Sequence, residues 1–137
     1  MLNRLIGGRL NRKKYIMYYL ATIVTSVFLM MAFGAVLLAT GQANEIEPGG
    51  TAYFGSMAIG VAANVVTICL GIRRLHDLGK GGRWTLAVIL PSLFSFVVYF
   101  VDNQIIMNLA SALDIAVILA LAVMKGNDGA NQFGPAS

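Results

Sequence analysis

The feature that most limits what this chain can fold into is its succession of long apolar runs, Tyr15 to Thr40, Ala52 to Ile72, Trp84 to Val101 and Gln104 to Met124. A helix needs about 20 largely apolar residues to cross roughly 30 Å of bilayer hydrocarbon, and each run comes close to that length. Hydrocarbon offers the backbone no hydrogen-bond partners, so only helices and closed β-barrels span it. Barrel strands alternate polar and apolar side chains, whereas these runs are continuously apolar. The expectation is therefore an all-α, integral membrane four-helix bundle. Composition agrees, since 58% of the 137 residues are hydrophobic and only 12% charged, against about 25% charged in ordinary soluble domains. A single membrane domain over residues 1–137 follows from the length. The third run contains Pro91, which removes one backbone hydrogen bond and is expected to kink its helix.

Orientation follows from the connections, because Lys and Arg are retained in the cytoplasm during insertion. Arg4, Arg9, Arg12, Lys13 and Lys14 lie in the N-terminal segment 1–14, Arg73, Arg74, Lys80 and Arg83 in the loop 73–83, and Lys125 opens the tail 125–137. The other two connections carry Glu45, Glu47 and Asp102 and no basic residue. Both termini are thus expected in the cytoplasm. Tyr15, Tyr18, Tyr19 and Trp84 would mark the inner interface, and Tyr53 and Tyr99 the outer one. Gly41-Gln42-Ala43 resembles a signal-peptide cleavage site, but the preceding run far exceeds the roughly 7 to 15 residues of a signal h-region. It reads as an uncleaved span.

The net charge of +4 is distributed between apolar runs rather than over a soluble domain. That points away from nucleic acid and toward a bilayer, whose anionic headgroups attract each juxtamembrane Lys or Arg by about 1 kcal/mol. One cysteine, Cys69, excludes an internal disulfide and a cysteine-cluster metal site. No cofactor is expected.

Three polar segments fall on the cytoplasmic side in this topology: Gly8 to Tyr15 (GRLNRKKY), Arg73 to Gly79 (RRLHDLG) and Gly126 to Pro135 (GNDGANQFGP). With these motifs in this order, nearly the whole chain resembles a family of small bacterial inner-membrane proteins known as domain of unknown function 805. The resemblance rests on a GRxxRxxY start, an RRLHDxG loop and a GxxGxNxFGP tail. It implies a bacterial cytoplasmic (inner) membrane location and this architecture, and it implies no activity. The chain departs from the family pattern at Lys80-Gly81-Gly82-Arg83-Trp84, where paired tryptophans are usual.

If the second helix continues past the membrane surface, Arg73, His76 and Asp77 share one face, Arg74 and Asp77 stand an ion-pair spacing apart, and Gly79 is placed to cap the helix. Two readings stay open for Arg9, Arg12, Arg73, Arg74, His76, Asp77, Gly79, Asn131, Phe133 and Gly134. They either hold a phosphate or lipid headgroup, or tie the loop to the N-terminal segment and the tail. A phosphoryl-transfer role for His76 lacks a second histidine and a carboxylate-rich metal site. The Gly126 to Gly129 stretch lacks the GK[ST] of a phosphate-binding loop.

Asp114 stands near the centre of the fourth run, where an ionised carboxylate costs about 2.5–3.5 kcal/mol even on lenient insertion scales. Gln104, Asn108, Ser111 and Asp114 occupy about a third of that helix's circumference. On the second run, Ser56, Gly60, Asn64, Thr67 and Gly71 form a small-and-polar stripe of the kind that lets helices approach closely. Asn64, Asn108, Ser111 and Asp114 are expected to form an intramembrane polar cluster. Asn64 and Asp114 should be neighbours, with Thr25 or Ser26 nearby. The chain is read as a non-enzymatic membrane protein whose basic cytoplasmic face binds anionic lipid headgroups or a protein partner. The alternatives are a small channel or transporter, a homo-oligomer using Asp114, and an enzyme acting on a lipid at the cytoplasmic interface.

Overall fold

The computed structural model describes residues 6–42, 49–98 and 103–135. Arg4, Glu45, Glu47, Tyr99 and Asp102, which entered the topology argument, lie outside the described residues, as do the closing residues of the third apolar run. The chain forms α1 (Arg12–Ala39), α2 (Thr51–Asp77), a 3-10 turn (Gly82–Thr85), α3 (Leu86–Val98) and α4 (Gln104–Val123). No strand occurs among the described residues; one isolated bridge joins Asn131 and Gly134 in the tail.

Local chemistry explains where the helices start. Asn11 caps α1, its Oδ1 accepting from the Lys14 amide at 2.9 Å, so the helix begins before the apolar run does. Asn103 caps α4 likewise, accepting from the amides of Ile105 and Ile106. The helix α2 continues through the loop motif to Asp77 and stops in a Schellman arrangement. There the Gly79 amide donates to His76 O at 3.0 Å and the Lys80 amide to Leu75 O at 2.9 Å. Gly79 adopts φ +70, a conformation that an L side chain resists. In α3, Pro91 is buried within a continuous helix.

Three helices, α1, α2 and α4, are long and apolar enough to cross a membrane. The fourth, α3, joins the 3-10 turn in a shorter apolar segment, Gly82–Val98. Long apolar side chains cover the outside of the bundle: Phe28 is 69% exposed, Met31 71%, Leu38 73% and Ile105 72%. An apolar surface this continuous is what lipid contact requires and what water forbids.

The packed core sits at one end of the bundle. Leu10, Tyr15, Leu70, Leu75, Val88 and Leu121 form one buried cluster there, drawing on the N-terminal segment and all four helices. At Gly71 an added Cβ would meet Val88 Cγ1 at 2.7 Å, so the glycine lets α2 and α3 approach closely. Because the start of α1, the end of α2, the start of α3 and the end of α4 all meet in this cluster, successive helices run in opposite directions.

Candidate functional site

The three polar motifs converge at the packed end around Asp77. Arg74 is fully enclosed, with 0% exposure, while Asp77 is 3% and Arg9 8% exposed. Arg9 approaches one carboxylate oxygen, Asp77 Oδ1, through Nε at 3.2 Å and Nη2 at 3.1 Å. Arg74 donates through Nη1 to the other, Oδ2, forming the ion pair that the spacing of three predicts.

Two buried guanidinium groups against one carboxylate leave a positive excess, and backbone carbonyls absorb it. Arg74 donates through Nε to Leu121 O at 2.9 Å, through Nη1 to Leu10 O at 3.3 Å and through Nη2 to Met124 O. The carbonyls of Leu121 and Met124 belong to the C-terminal end of α4, which has no intrahelical donors left and carries the negative end of the helix dipole. Arg74 is in effect the C-cap of α4, supplied from α2. Burial pulls the Arg74 guanidinium below its ordinary value while Asp77 pulls it back up. Arg9 donates to Gly129 O at 2.6 Å, Asn127 O at 2.5 Å and Gly134 O at 3.4 Å, gathering the tail around itself. The Asn127 amide in turn donates to Asp77 O at 2.9 Å.

His76 and the tail make a second layer. The His76 ring stacks on Phe133, with centroids 4.0 Å apart and planes 7° from parallel, and its Nδ1 lies 3.2 Å from Gly8 O. A carbonyl accepts only, so Nδ1 carries the proton in that bond. Asn131 donates to His76 O at 2.9 Å and accepts from the Phe133 amide at 2.9 Å, closing the turn that Gly134 completes. Gly126 faces the Asp77 carboxylate with no room for a Cβ.

The sequence motifs therefore divide. Arg9, His76, Asp77, Asn131, Phe133 and Gly134 join the loop to the N-terminal segment and the tail, Gly79 ends α2, and Arg74 joins the loop to Leu10 and the end of α4, so the joint headgroup role considered for Arg73 and Arg74 does not suit Arg74, whose guanidinium is enclosed and bonded inside. Arg73 contributes its carbonyl to the Leu10 amide at 3.1 Å, while its Nε is buried with no hydrogen-bond partner among the described residues. Arg12, Lys13, Lys14 and Arg83 are exposed. Lys125 pairs with Asp128 at 2.8 Å, and Lys80 lies 3.6 Å over the Trp84 ring.

The intramembrane cluster is also only partly assembled. Asn64, Ser111, Asp114 and Ser26 line one cavity of about 460 Å³ to which all four helices contribute. Thr25 lines a different hollow, between α1 and α2. Asn108 is exposed and pairs with Gln104 at 2.9 Å instead, because a spacing of four on one helix face lets the two amides satisfy each other. Tyr15, Tyr19 and Ser92 also belong to the polar lining. They were not singled out as part of this cluster from the sequence, since tyrosines at a run's edge read as interfacial anchors and a serine beside Pro91 carries no distinguishing pattern. Among the described residues no group of His, Cys, Asp and Glu is placed to hold a metal ion.

Residues 6–135 match the family described as "Protein of unknown function (DUF805)", and the chain belongs to that family. No match was found among curated proteins or among solved structures.

Proposed function

We propose that this member of the family is a multi-pass protein of the bacterial inner membrane that crosses four times, keeps both ends in the cytoplasm and binds anionic lipid headgroups through its basic cytoplasmic rim. The observation that carries the reading is the division of labour among the basic residues at one end of the bundle. Arg9 and Arg74 are enclosed and paired with Asp77, whereas Arg12, Lys13, Lys14 and Arg83 are exposed and enter no salt bridge among the described residues. An exposed positive rim just outside an apolar belt is the arrangement that retains Lys and Arg on the cytoplasmic side and attracts anionic headgroups. Alternating helix direction supports four crossings, with α3 and the residues after it making the third. The stacked and hydrogen-bonded His76 ring supports a non-enzymatic reading, since its face and one nitrogen are committed to packing.

The test is native mass spectrometry of the protein released from nanodiscs containing phosphatidylglycerol and phosphatidylcholine. The Arg12→Gln/Lys13→Gln/Lys14→Gln variant should lose most of the co-released anionic lipid while keeping its helical content. Equal retention of phosphatidylglycerol by the wild type and the variant would remove the headgroup reading.

A further inference from the structure

The cavity between the four helices takes no part in the cytoplasmic rim. It lies around Asp114, halfway along α4, and Asn64, near the middle of α2. Among the described residues, neither side chain makes a hydrogen bond or an ion pair, and no Lys, Arg or His lines the cavity. A carboxylate at that depth with no cation beside it is an expensive arrangement for packing alone.

The hydroxyls around it sharpen the electrostatics. Thr22 donates to Tyr18 O at 2.8 Å, Ser26 to Thr22 O at 2.8 Å and Thr67 to Ala63 O at 3.0 Å. With each proton spent on its own helix, these side chains have only oxygen lone pairs to offer the cavity. Asn64, Ser92 and Ser111 can donate or accept, so Asp114 stands as the one carboxyl in a lining without Lys, Arg or His, and the half-buried Tyr19 adds an aromatic ring suited to a cation. The remaining wall is aliphatic, from residues such as Ile23, Val88, Ile115 and Ile118. Its volume of about 460 Å³ falls within the roughly 300–1,000 Å³ of small-molecule sites and is far larger than a bare ion needs.

We propose that this cavity is a binding site for a small organic ammonium ion with an apolar body, its single positive charge set against Asp114 and its hydrocarbon against the aliphatic wall. The probe pair is 2-phenylethylammonium and its neutral counterpart 2-phenylethanol, titrated calorimetrically into the full-length protein in phosphatidylcholine nanodiscs, with empty discs as the blank. A zwitterionic bilayer keeps the result independent of the anionic-headgroup reading. The wild type should bind the ammonium at least about tenfold more tightly than the alcohol, and Asp114→Asn should bring the two affinities together. Gly60→Leu provides a second variant, because Gly60 lines the cavity and a Cβ there meets nothing within 4 Å. It should weaken both ligands by filling space while leaving the charge in place, and it keeps the test decisive if Asp114→Asn fails to fold. Equal affinities for the two ligands in the wild type, a preference unchanged in Asp114→Asn, or binding untouched by Gly60→Leu would each overturn the proposal.

Discussion

Asp77 holds two arginines that arrive from different parts of the chain, so each residue of the trio has a distinct predicted cost. Replacing Arg74 by Ala removes one ion pair and strips donors from the carbonyls of Leu10, Leu121 and Met124. Breaking a buried charge pair in this way typically costs about 3–5 kcal/mol. Denaturant titration in detergent should show a loss of that size for Arg74→Ala, and Arg74→Lys should recover little of it. A lysine offers one compact ammonium, whereas the guanidinium reaches acceptors in several directions within one plane. A loss below about 1 kcal/mol for Arg74→Ala would mean that the trio behaves as an exposed pair. The same titration reads the outer layer: Phe133→Leu should cost about 0.5–1.5 kcal/mol beyond lost burial, because the stacked contact with His76 disappears.

At the scale of elements, the helix end at Gly79 and the tail beyond α4 depend on each other. Gly79 has φ +70, and a Cβ there would meet Asn127 Nδ2 at 2.7 Å. Gly79→Ala should therefore destabilise the protein by more than about 1 kcal/mol, visible as earlier proteolysis of the tail. The helices were legible because their apolar runs leave few alternatives, whereas the continuation of α2 to Asp77 entered the sequence reading only as a condition, under which spacings of three and four put Arg73, His76 and Asp77 on one face. The start of α3 was less legible. Trp84 begins the apolar run, but Thr85 Oγ1 donates to Gly82 O at 2.6 Å and holds a 3-10 turn up to Leu86. In the candidate site, Arg9, Arg74, Asp77, Asn131 and Phe133 could be named from the motifs. Most of the arginines' acceptors could not, because Leu121, Met124, Asn127 and Gly129 act through backbone carbonyls that any residue would provide. Asn108 illustrates the reverse: helical periodicity put it on the Asp114 stripe, and Gln104 claimed it locally.

The whole molecule is tightly packed at one end and apolar-sided elsewhere. That asymmetry fits a bundle whose flanks are sealed by lipid and whose basic end is sealed by its own termini. The N-terminal segment, the end of α2, the end of α4 and the tail all contact the Asp77 trio, so topology and stability are linked: the two ends can be bound together only if they lie on one side of the membrane. Cysteine labelling tests this most directly. In a Cys69→Ala background, Asp128→Cys and Thr51→Cys place single thiols at exposed positions in the tail and at the start of α2. With a membrane-impermeant maleimide on intact bacterial spheroplasts, the account predicts that Thr51→Cys is labelled and that Asp128→Cys is labelled only after lysis. Labelling of both thiols from the same side would contradict it.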